Sequence, residues 1–121
     1  MINFSAIAAD YLAAFNATDP VQRKERVSAL FAAGARYVDP MADVTGHDQL
    51  NGLIEGIQGQ FPGWVFTPVG DVDGHHTQAR FRWGLGPEDA EPPVVGFDVV
   101  VLDDEGRISA VHGFLDRVPG A

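Results

Sequence analysis

Cysteine is absent from the 121-residue chain. Its absence excludes disulfide bonds, thiolate metal sites and cysteine nucleophiles, and it agrees with a reducing compartment. Basic residues are few: eight Lys and Arg stand against seventeen Asp and Glu, and the formal net charge is −9. A net charge of this sign repels phosphate backbones and anionic lipids, so we expect neither nucleic acid nor a membrane as a partner.

Long apolar runs are also missing. No run approaches the roughly 20 residues that a membrane-spanning helix needs, and the first residues, MINFSAIAAD, lack the basic start of a signal peptide. We therefore expect a cytoplasmic protein. The length suits a single domain over residues 1–121, and a hydrophobic fraction of 45% is enough to build a core.

Three segments in the first half of the chain have the apolar spacing of amphipathic helices. The first has Ser5 as its predicted N-cap and carries Tyr11 on its inward face. The second has Asp19 as N-cap, and its apolar stripe stops at Gly34. The third covers residues 50–61 and ends before a Pro-Gly pair.

From Trp64 onward the apolar period changes to two, which is typical of strands. Turn residues separate four runs: WVFTPVG, HHTQARFRWGL, PVVGFDVVVL and RISAVHGFLD. Helices first and strands last predict an α+β domain in which the helices cover one face of a curved antiparallel sheet.

The run PVVGFDVVVL, residues 93–102, is apolar on both faces. The helices can cover only one face of the sheet, so a second subunit is expected on the other, and we predict a homodimer. Asp98 is the one charged residue in this run. A carboxyl group there must be paired, hydrogen-bonded or held neutral by a raised pKa, because burial disfavours its charged form.

Three segments resemble the nuclear transport factor 2-like superfamily, most closely its SnoaL-like proteins and ketosteroid isomerases. They are ADYLAAFNATD (9–19), ARYVDP (35–40) and VGFDVVVLDDEGRI (95–108), in that order and with those spacings. The resemblance implies a cone-shaped α+β domain, usually dimeric, with three helices in the concavity of a bent sheet around a deep apolar pocket. It also implies that Tyr11, Asp39 and Asp98 occupy the positions of the isomerase catalytic residues.

Those three residues suit proton transfer next to a carbonyl group without a cofactor. Asp39 is the expected base, while Tyr11 and a protonated Asp98 are expected to donate hydrogen bonds to the enolate oxygen. The expected ligand is a small, largely apolar carbonyl compound. The predicted pocket wall consists of Phe15, Phe61, Trp64, Phe81, Trp83 and Val111.

Each of these residues also has a structural interpretation. Tyr11 suits a buried core position, and Asp39 suits a turn cap before Pro40. Asp98 could instead pair with Arg80 or Arg82.

The arginines indicate one alternative activity. An aspartate–arginine–aspartate group is the arrangement by which epoxide hydrolases of this fold activate water. Alternation in ARFRW leaves open whether Arg80 and Arg82 or Phe81 and Trp83 face the pocket. A dimer that binds a small ligand without catalysis is the third possibility.

His75 and His76 are neighbours in the sequence and invite comparison with a metal site. Adjacent strand residues point to opposite faces, and the chain offers no cysteine to complete a ligand set. We therefore predict no metal here. Either imidazole could line the mouth of the pocket as a hydrogen-bonding group.

Overall fold

A computed structural model describes residues 2–119 of the chain, and the described part contains three helices and six strands. In chain order these are α1 (Phe4–Asn16), α2 (Pro20–Leu30), β1 (Phe31–Asp39), β2 (Ala42–Thr45), α3 (His47–Gln60), β3 (Val65–His75), β4 (Gln78–Gly86), β5 (Val94–Leu102) and β6 (Ile108–Arg117).

The six strands form one sheet in the order β2-β1-β6-β5-β4-β3. The predicted meander of four antiparallel strands is present as β3 to β6. The sheet is nevertheless mixed, because β1 runs parallel to β6. Irregular pairing between Val69 and Asp73 of β3, and at the end of β5, bends the sheet, since β-bulges increase local twist. The α+β class with three helices and a curved sheet is confirmed.

The second helix is shorter than the sequence predicted. It begins at Pro20 with Asp19 as its N-cap, as expected, but it ends at Leu30 rather than at Gly34. Phe31 opens β1, and its buried side chain belongs to a strand that pairs with β6. Tertiary pairing decided the conformation here, because the apolar stripe of 27–31 is compatible with either element.

Two other local predictions were wrong. Asn3 rather than Ser5 caps α1, because the Asn3 Oδ1 atom accepts the Ala6 N–H at 3.0 Å. His75 ends β3 instead of opening the next strand, and His76 lies in the tight turn with a φ of 52°. Within residues 2–119, no helix combines the length and the apolar character needed to cross a membrane.

The helices lie on one face of the sheet and enclose the core with it. In β5 the inward residues Asp98, Val100 and Leu102 are buried, while the alternate residues Phe97, Val99 and Val101 are only half-buried. The opposite face of the sheet is therefore partly apolar and open. Phe114 of β6 lies on that face beside Phe97 and is 56% exposed.

Candidate functional site

Three neighbouring strands bring the two candidate aspartates close together. Asp98 of β5 pairs with Gly113 of β6, and the register between β1 and β6 continues from Val38–His112 toward Asp39 and Gly113. A Cβ atom at position 113 would lie 2.8 Å from Asp98 Oδ1 and 3.0 Å from Asp39 Cβ. Gly113 therefore separates the two residues, and the missing side chain leaves the room that both need.

The Asp98 carboxyl group is buried and hydrogen-bonded on one side. Its Oδ2 atom accepts the Tyr11 hydroxyl at 2.8 Å and the Trp83 Nε1–H at 2.9 Å. Its Oδ1 atom has no hydrogen-bond partner within residues 2–119. Asp98 and Tyr11 were expected to donate side by side to one ligand oxygen. Asp98 instead bonds to Tyr11 itself and to Trp83, whose indole N–H had no assigned role.

Burial raises the pKa of Asp98 to about 6, while the hydrogen bonds from Tyr11 and Trp83 act in the lowering direction and the charge of Asp39 in the raising direction. The raised pKa agrees in direction with the neutral carboxyl group that was expected at this position. A pKa of about 6 nevertheless leaves Asp98 mostly ionised at neutral pH. The two donors explain why the rise stops there, because a carboxylate that accepts hydrogen bonds is stabilised in its charged form.

Asp39 serves the turn and also lines a cavity. Its Oδ1 atom accepts the backbone N–H groups of Met41 and Ala42, both at 2.8 Å. Its Oδ2 atom accepts the Tyr37 hydroxyl at 2.6 Å. The turn-capping interpretation is therefore correct for Oδ1, and Oδ2 keeps one lone pair for another partner.

Tyr37 is the residue that the sequence interpretation missed. It lies two positions before Asp39 on the same strand, so both side chains point to the same face. That spacing was the available signal. The pKa of Tyr37 is raised well above its ordinary value by burial, then by the charges of Asp98 and Asp39 and the hydrogen bond to Asp39, while Tyr11 acts in the lowering direction.

Tyr11 is buried among aromatic rings. Its ring stacks on Phe15 at 4.7 Å between centroids and meets Phe81 edge-on at 5.2 Å. Burial raises the pKa of Tyr11 well above its ordinary value, and the charge of Asp98 adds to the effect. The hydroxyl therefore remains protonated at neutral pH, and its proton is directed at Asp98.

A cavity of about 370 Å³, called the main cavity below, opens between α3, the sheet and the chain after β6. Its volume lies in the range of small-molecule sites. Its polar lining includes Tyr11, Tyr37 and Asp39, and Asp98 lies behind Tyr11 and Trp83. The other lining residues are Phe15, Met41, Leu53, Ile57, Gln60, Phe61, Phe66, Trp83, Leu85, Val94, Leu115, Val118 and Pro119.

Half of the predicted wall lies elsewhere. Phe15, Phe61 and Trp83 line the main cavity, but Trp64 stacks on the far side of Phe61 and lines a smaller cavity of about 180 Å³. Phe81 is buried beside Tyr11 and borders a groove between α1 and β3. Val111 is 1% exposed and belongs to the core.

The polar alternatives lie outside the main cavity. Phe81 and Trp83 face the helices, so Arg80 and Arg82 face outward and form exposed ion pairs with Asp73 and Asp116, each at 3.1 Å. Within residues 2–119, neither of these two arginines is hydrogen-bonded to Asp39 or Asp98, so Arg80 and Arg82 do not bridge the two aspartates.

His75 and His76 are exposed at the β3–β4 turn, away from the cavity mouth. Across residues 2–119, no group of three or more His, Asp or Glu side chains is arranged to hold a metal ion.

The chain is similar to known proteins in both sequence and fold. A family model described as a SnoaL-like domain matches residues 8–111. A protein from Agrobacterium tumefaciens named "putative isomerase of the SnoaL-like family" is 41% identical with a TM-score of 0.89, and the match covers 93% of this chain and 97% of that one. A search among curated proteins gave no match.

Two more distant structures share the fold. A "putative polyketide cyclase" from Sinorhizobium meliloti is 18% identical with a TM-score of 0.69, over 92% of this chain and 94% of that one. A SnoaL-like protein of unknown function from Burkholderia thailandensis is 11% identical with a TM-score of 0.74, over 95% and 98% of the two chains. At these identities the likeness extends to the fold alone.

Proposed function

The chain belongs to the SnoaL-like family, and we propose that it catalyses cofactor-free proton transfer next to the carbonyl group of a small, largely apolar compound. One observation carries the proposal. Asp39 and Tyr11 line the same mostly apolar cavity, and Tyr11 is hydrogen-bonded from behind to the buried Asp98. A base and a proton donor on the wall of one mostly apolar cavity are the groups that enolisation needs.

Asp39 is the base in this proposal, and Oδ2 is the reacting atom. Oδ1 is occupied by two backbone N–H groups, whereas Oδ2 accepts a single hydrogen bond, from Tyr37. These contacts fix the carboxylate in one orientation and leave one lone pair toward the cavity. A fixed base contributes through positioning as well as through its proton affinity.

Tyr11 gives its proton to the carbonyl oxygen, and Asp98 replaces that proton. In the protonated form of Asp98, its O–H donates to the Tyr11 oxygen, and the Tyr11 hydroxyl turns to the substrate. The C–H proton then passes to Asp39, and the C–H electron pair forms the carbon–carbon double bond. The substrate oxygen takes the Tyr11 proton and Tyr11 takes that of Asp98. The products are an enol, protonated Asp39 and ionised Asp98. Isomerisation is complete when the Asp39 proton adds to another carbon of a conjugated enol, the O–H electron pair re-forms the carbonyl group, and the enol proton returns through Tyr11 to Asp98.

The name of the Agrobacterium protein agrees with this reaction class, and its 41% identity over nearly the whole chain makes it the relevant comparison. The epoxide hydrolase alternative has less support here, because Arg80 and Arg82 are paired with Asp73 and Asp116 on the other face of the sheet. We therefore favour enolisation over activation of water.

Hydrogen–deuterium exchange tests the proposal. Small cyclic ketones and enones are incubated with the protein in deuterium oxide, and NMR follows the loss of the proton next to the carbonyl group. The Asp39→Asn variant should slow this exchange by about 100-fold or more. Asp43→Asn is the matched control, because Asp43 is an exposed carboxylate paired with Arg36, and it should change the rate by less than about twofold. Equal rates for wild type and Asp39→Asn would refute the role of Asp39.

A binding protein without catalysis is the second candidate. It is favoured by the three hydrogen bonds that already satisfy Asp39. In that case a ketone should bind the wild type with no exchange at its carbon acid. Exchange that depends on Asp39 would eliminate this candidate.

We further propose that the outer face of the sheet binds a second copy of the chain. Phe97 and Phe114 lie there with ring centroids 6.2 Å apart, next to the half-buried Val99 and Val101. Covering these side chains would remove apolar surface from water. Sedimentation equilibrium at micromolar concentration should give twice the chain mass of 13.0 kDa, and a species of the single-chain mass alone would contradict the proposal.

A further inference from the structure

Two cavities of this fold share a wall. The smaller one, of about 180 Å³ and called the second cavity below, lies beside the main cavity of about 370 Å³. A side chain that lines both cavities forms part of the wall between them. Five apolar side chains do so, namely Phe15, Ile57, Phe61, Phe66 and Leu85.

Phe61 is a less deeply buried part of this wall. Phe15, Phe66 and Leu85 are buried in the core, whereas the Phe61 side chain is half-buried at the end of α3. Its ring stacks on the indole of Trp64, with ring centroids 4.9 Å apart and planes inclined by 18°. Trp64 lines the second cavity but not the main cavity. The ring of Phe61 therefore separates Trp64 from the main cavity.

A short turn holds the two rings together. The Phe61 N–H donates to the Ile57 carbonyl at 3.0 Å and closes α3, and the Trp64 N–H donates to the Phe61 carbonyl at 3.1 Å. Gly63 lies between the two rings in the chain and has a φ of 80°, a conformation that glycine adopts without strain. The turn returns Trp64 to Phe61, so backbone hydrogen bonds as well as aromatic stacking fix the position of the Phe61 ring.

The second cavity offers mainly apolar surface. The Asn16 amide group exchanges two hydrogen bonds with the Phe66 backbone, at 2.8 and 2.9 Å. The Gln58 Nε2 atom donates to the carbonyls of Phe15 and Ala17, both at 2.9 Å. These amides are thus committed to the backbone, and hydrocarbon suits the cavity better than a polar group does. An apolar cavity of about 150 Å³ holds a benzene molecule, so the second cavity has room for a short alkyl chain.

We propose that Phe61 determines the length of ligand that the main cavity accepts, because its ring closes the main cavity toward the second one. The inference rests on the proposed function, since it takes a ketone as the ligand of the main cavity. An alkyl chain on that ketone stops where it meets the Phe61 ring. With a small side chain at position 61, the chain enters the second cavity and buries further methylene groups.

Calorimetric titration of the full chain with 4-alkylcyclohexanones, from methyl to hexyl, measures this length limit. In the wild type, affinity should rise about threefold to fourfold per buried methylene group and level off where the chain reaches Phe61. In Phe61→Ala the rise should continue, so that the hexyl probe binds about tenfold or more tightly than it binds the wild type. The methyl probe is too short to reach the ring, and its affinity should change by less than about twofold.

Two control variants separate a moved length limit from a general loosening of the protein. Phe4→Ala removes another half-buried phenylalanine, one that lines neither the main nor the second cavity, and it should keep the wild-type profile. Val65 lines the second cavity but not the main cavity. Val65→Phe added to Phe61→Ala should fill the second cavity and restore the wild-type limit. Where thermal melting shows that Phe61→Ala does not fold, Phe61→Leu replaces it, and the limit should still move to longer chains, though less far.

The same chain-length profile in wild type and Phe61→Ala, or a limit that Val65→Phe does not restore, would overturn the inference. Its outcome is separable from that of the proposed function. A limit that moves in Phe61→Ala, without hydrogen exchange in any ketone, would refute the proposed function and support the role of Phe61. Exchange that depends on Asp39, with one profile in both proteins, would refute the role of Phe61 and support the reaction. Failure of every probe to bind would overturn both.

Discussion

The proposed proton transfer from Asp98 through Tyr11 to the substrate requires Asp98 in its protonated form. The rate should therefore fall as the pH rises. The pKa of Asp98 is raised to about 6 by burial against the opposing hydrogen bonds of Tyr11 and Trp83. Above that pH the protonated fraction falls about tenfold per pH unit, to about a tenth at pH 7 and about a hundredth at pH 8. We expect kcat/KM for exchange of the carbon-bound proton to fall with the same slope.

The assay is the NMR exchange measurement repeated between about pH 5.5 and pH 8.5, with substrate below saturation so that kcat/KM is read directly. The expected profile loses about 50-fold between about pH 6, where half of Asp98 is protonated, and pH 8. A rate that is constant or rises over this interval would refute the requirement for protonated Asp98. Hydrogen bonding of a neutral Asp98 to Tyr11 would then play no part in the rate.

Replacement of Trp83 should shift the pH profile of kcat/KM. Its N–H donates to Asp98 Oδ2 and favours the ionised form, so Trp83→Phe should raise the pKa of Asp98 and move the falling limb to higher pH by about one unit. Trp64→Phe is the matched control, because Trp64 stacks on Phe61 outside the main cavity. An unchanged pH profile in Trp83→Phe would show that the indole N–H does not lower the pKa of Asp98.

Three further predictions concern positioning and stability. Tyr37→Phe removes the donor to Asp39 Oδ2 and should lower kcat for exchange about tenfold with little change in KM, as saturation kinetics would show. Gly113→Ala places a Cβ 2.8 Å from Asp98 Oδ1, so denaturant unfolding should show a free energy of unfolding lower by about 1–3 kcal/mol. Gly52→Ala in α3 is its control: no atom lies within 4 Å of the new Cβ, and the free energy of unfolding should rise by about 0.5–1 kcal/mol. The pKa of Asp98 is raised from 3.8 to about 6 in the folded protein. The free energy of unfolding of the wild type should therefore fall by up to about 3 kcal/mol as the pH rises between these two values, and Asp98→Asn should lack that fall.

The sequence predicted the elements whose periodicity is unambiguous. Apolar residues alternate in β3 to β6, as in strands, and recur at helical spacing in α1 and α3, so each segment fits a single type of element. β1 was missed because Phe31 continues the apolar stripe of α2, and the next residues, AAGAR, have little strand propensity. Its strand conformation depends on parallel pairing with β6, a partner about 75 residues away in the chain.

The candidate site was only partly readable from the sequence. The hydrogen bond between Tyr11 and Asp98 joins residues 87 positions apart. The family resemblance implied that both residues lie in one site, but not that they bond to each other. Alternation within ARFRW defines two faces of the strand but does not show which face contacts the helices. Only the structure shows that Arg80 and Arg82 point outward. The bond from Trp83 to Asp98 depends on a side-chain conformation that no sequence pattern encodes. Tyr37 was predictable, because it shares a strand face with Asp39.

A crystal structure with a bound cyclic ketone would test the central claim most directly. The account predicts the ligand in the main cavity, with its oxygen about 2.7 Å from the Tyr11 hydroxyl and its reactive carbon about 3–3.5 Å from Asp39 Oδ2. Asp98 should remain behind Tyr11 without touching the ligand. A ligand whose oxygen points to the cavity mouth, with neither Tyr11 nor Asp39 in contact, would contradict the account.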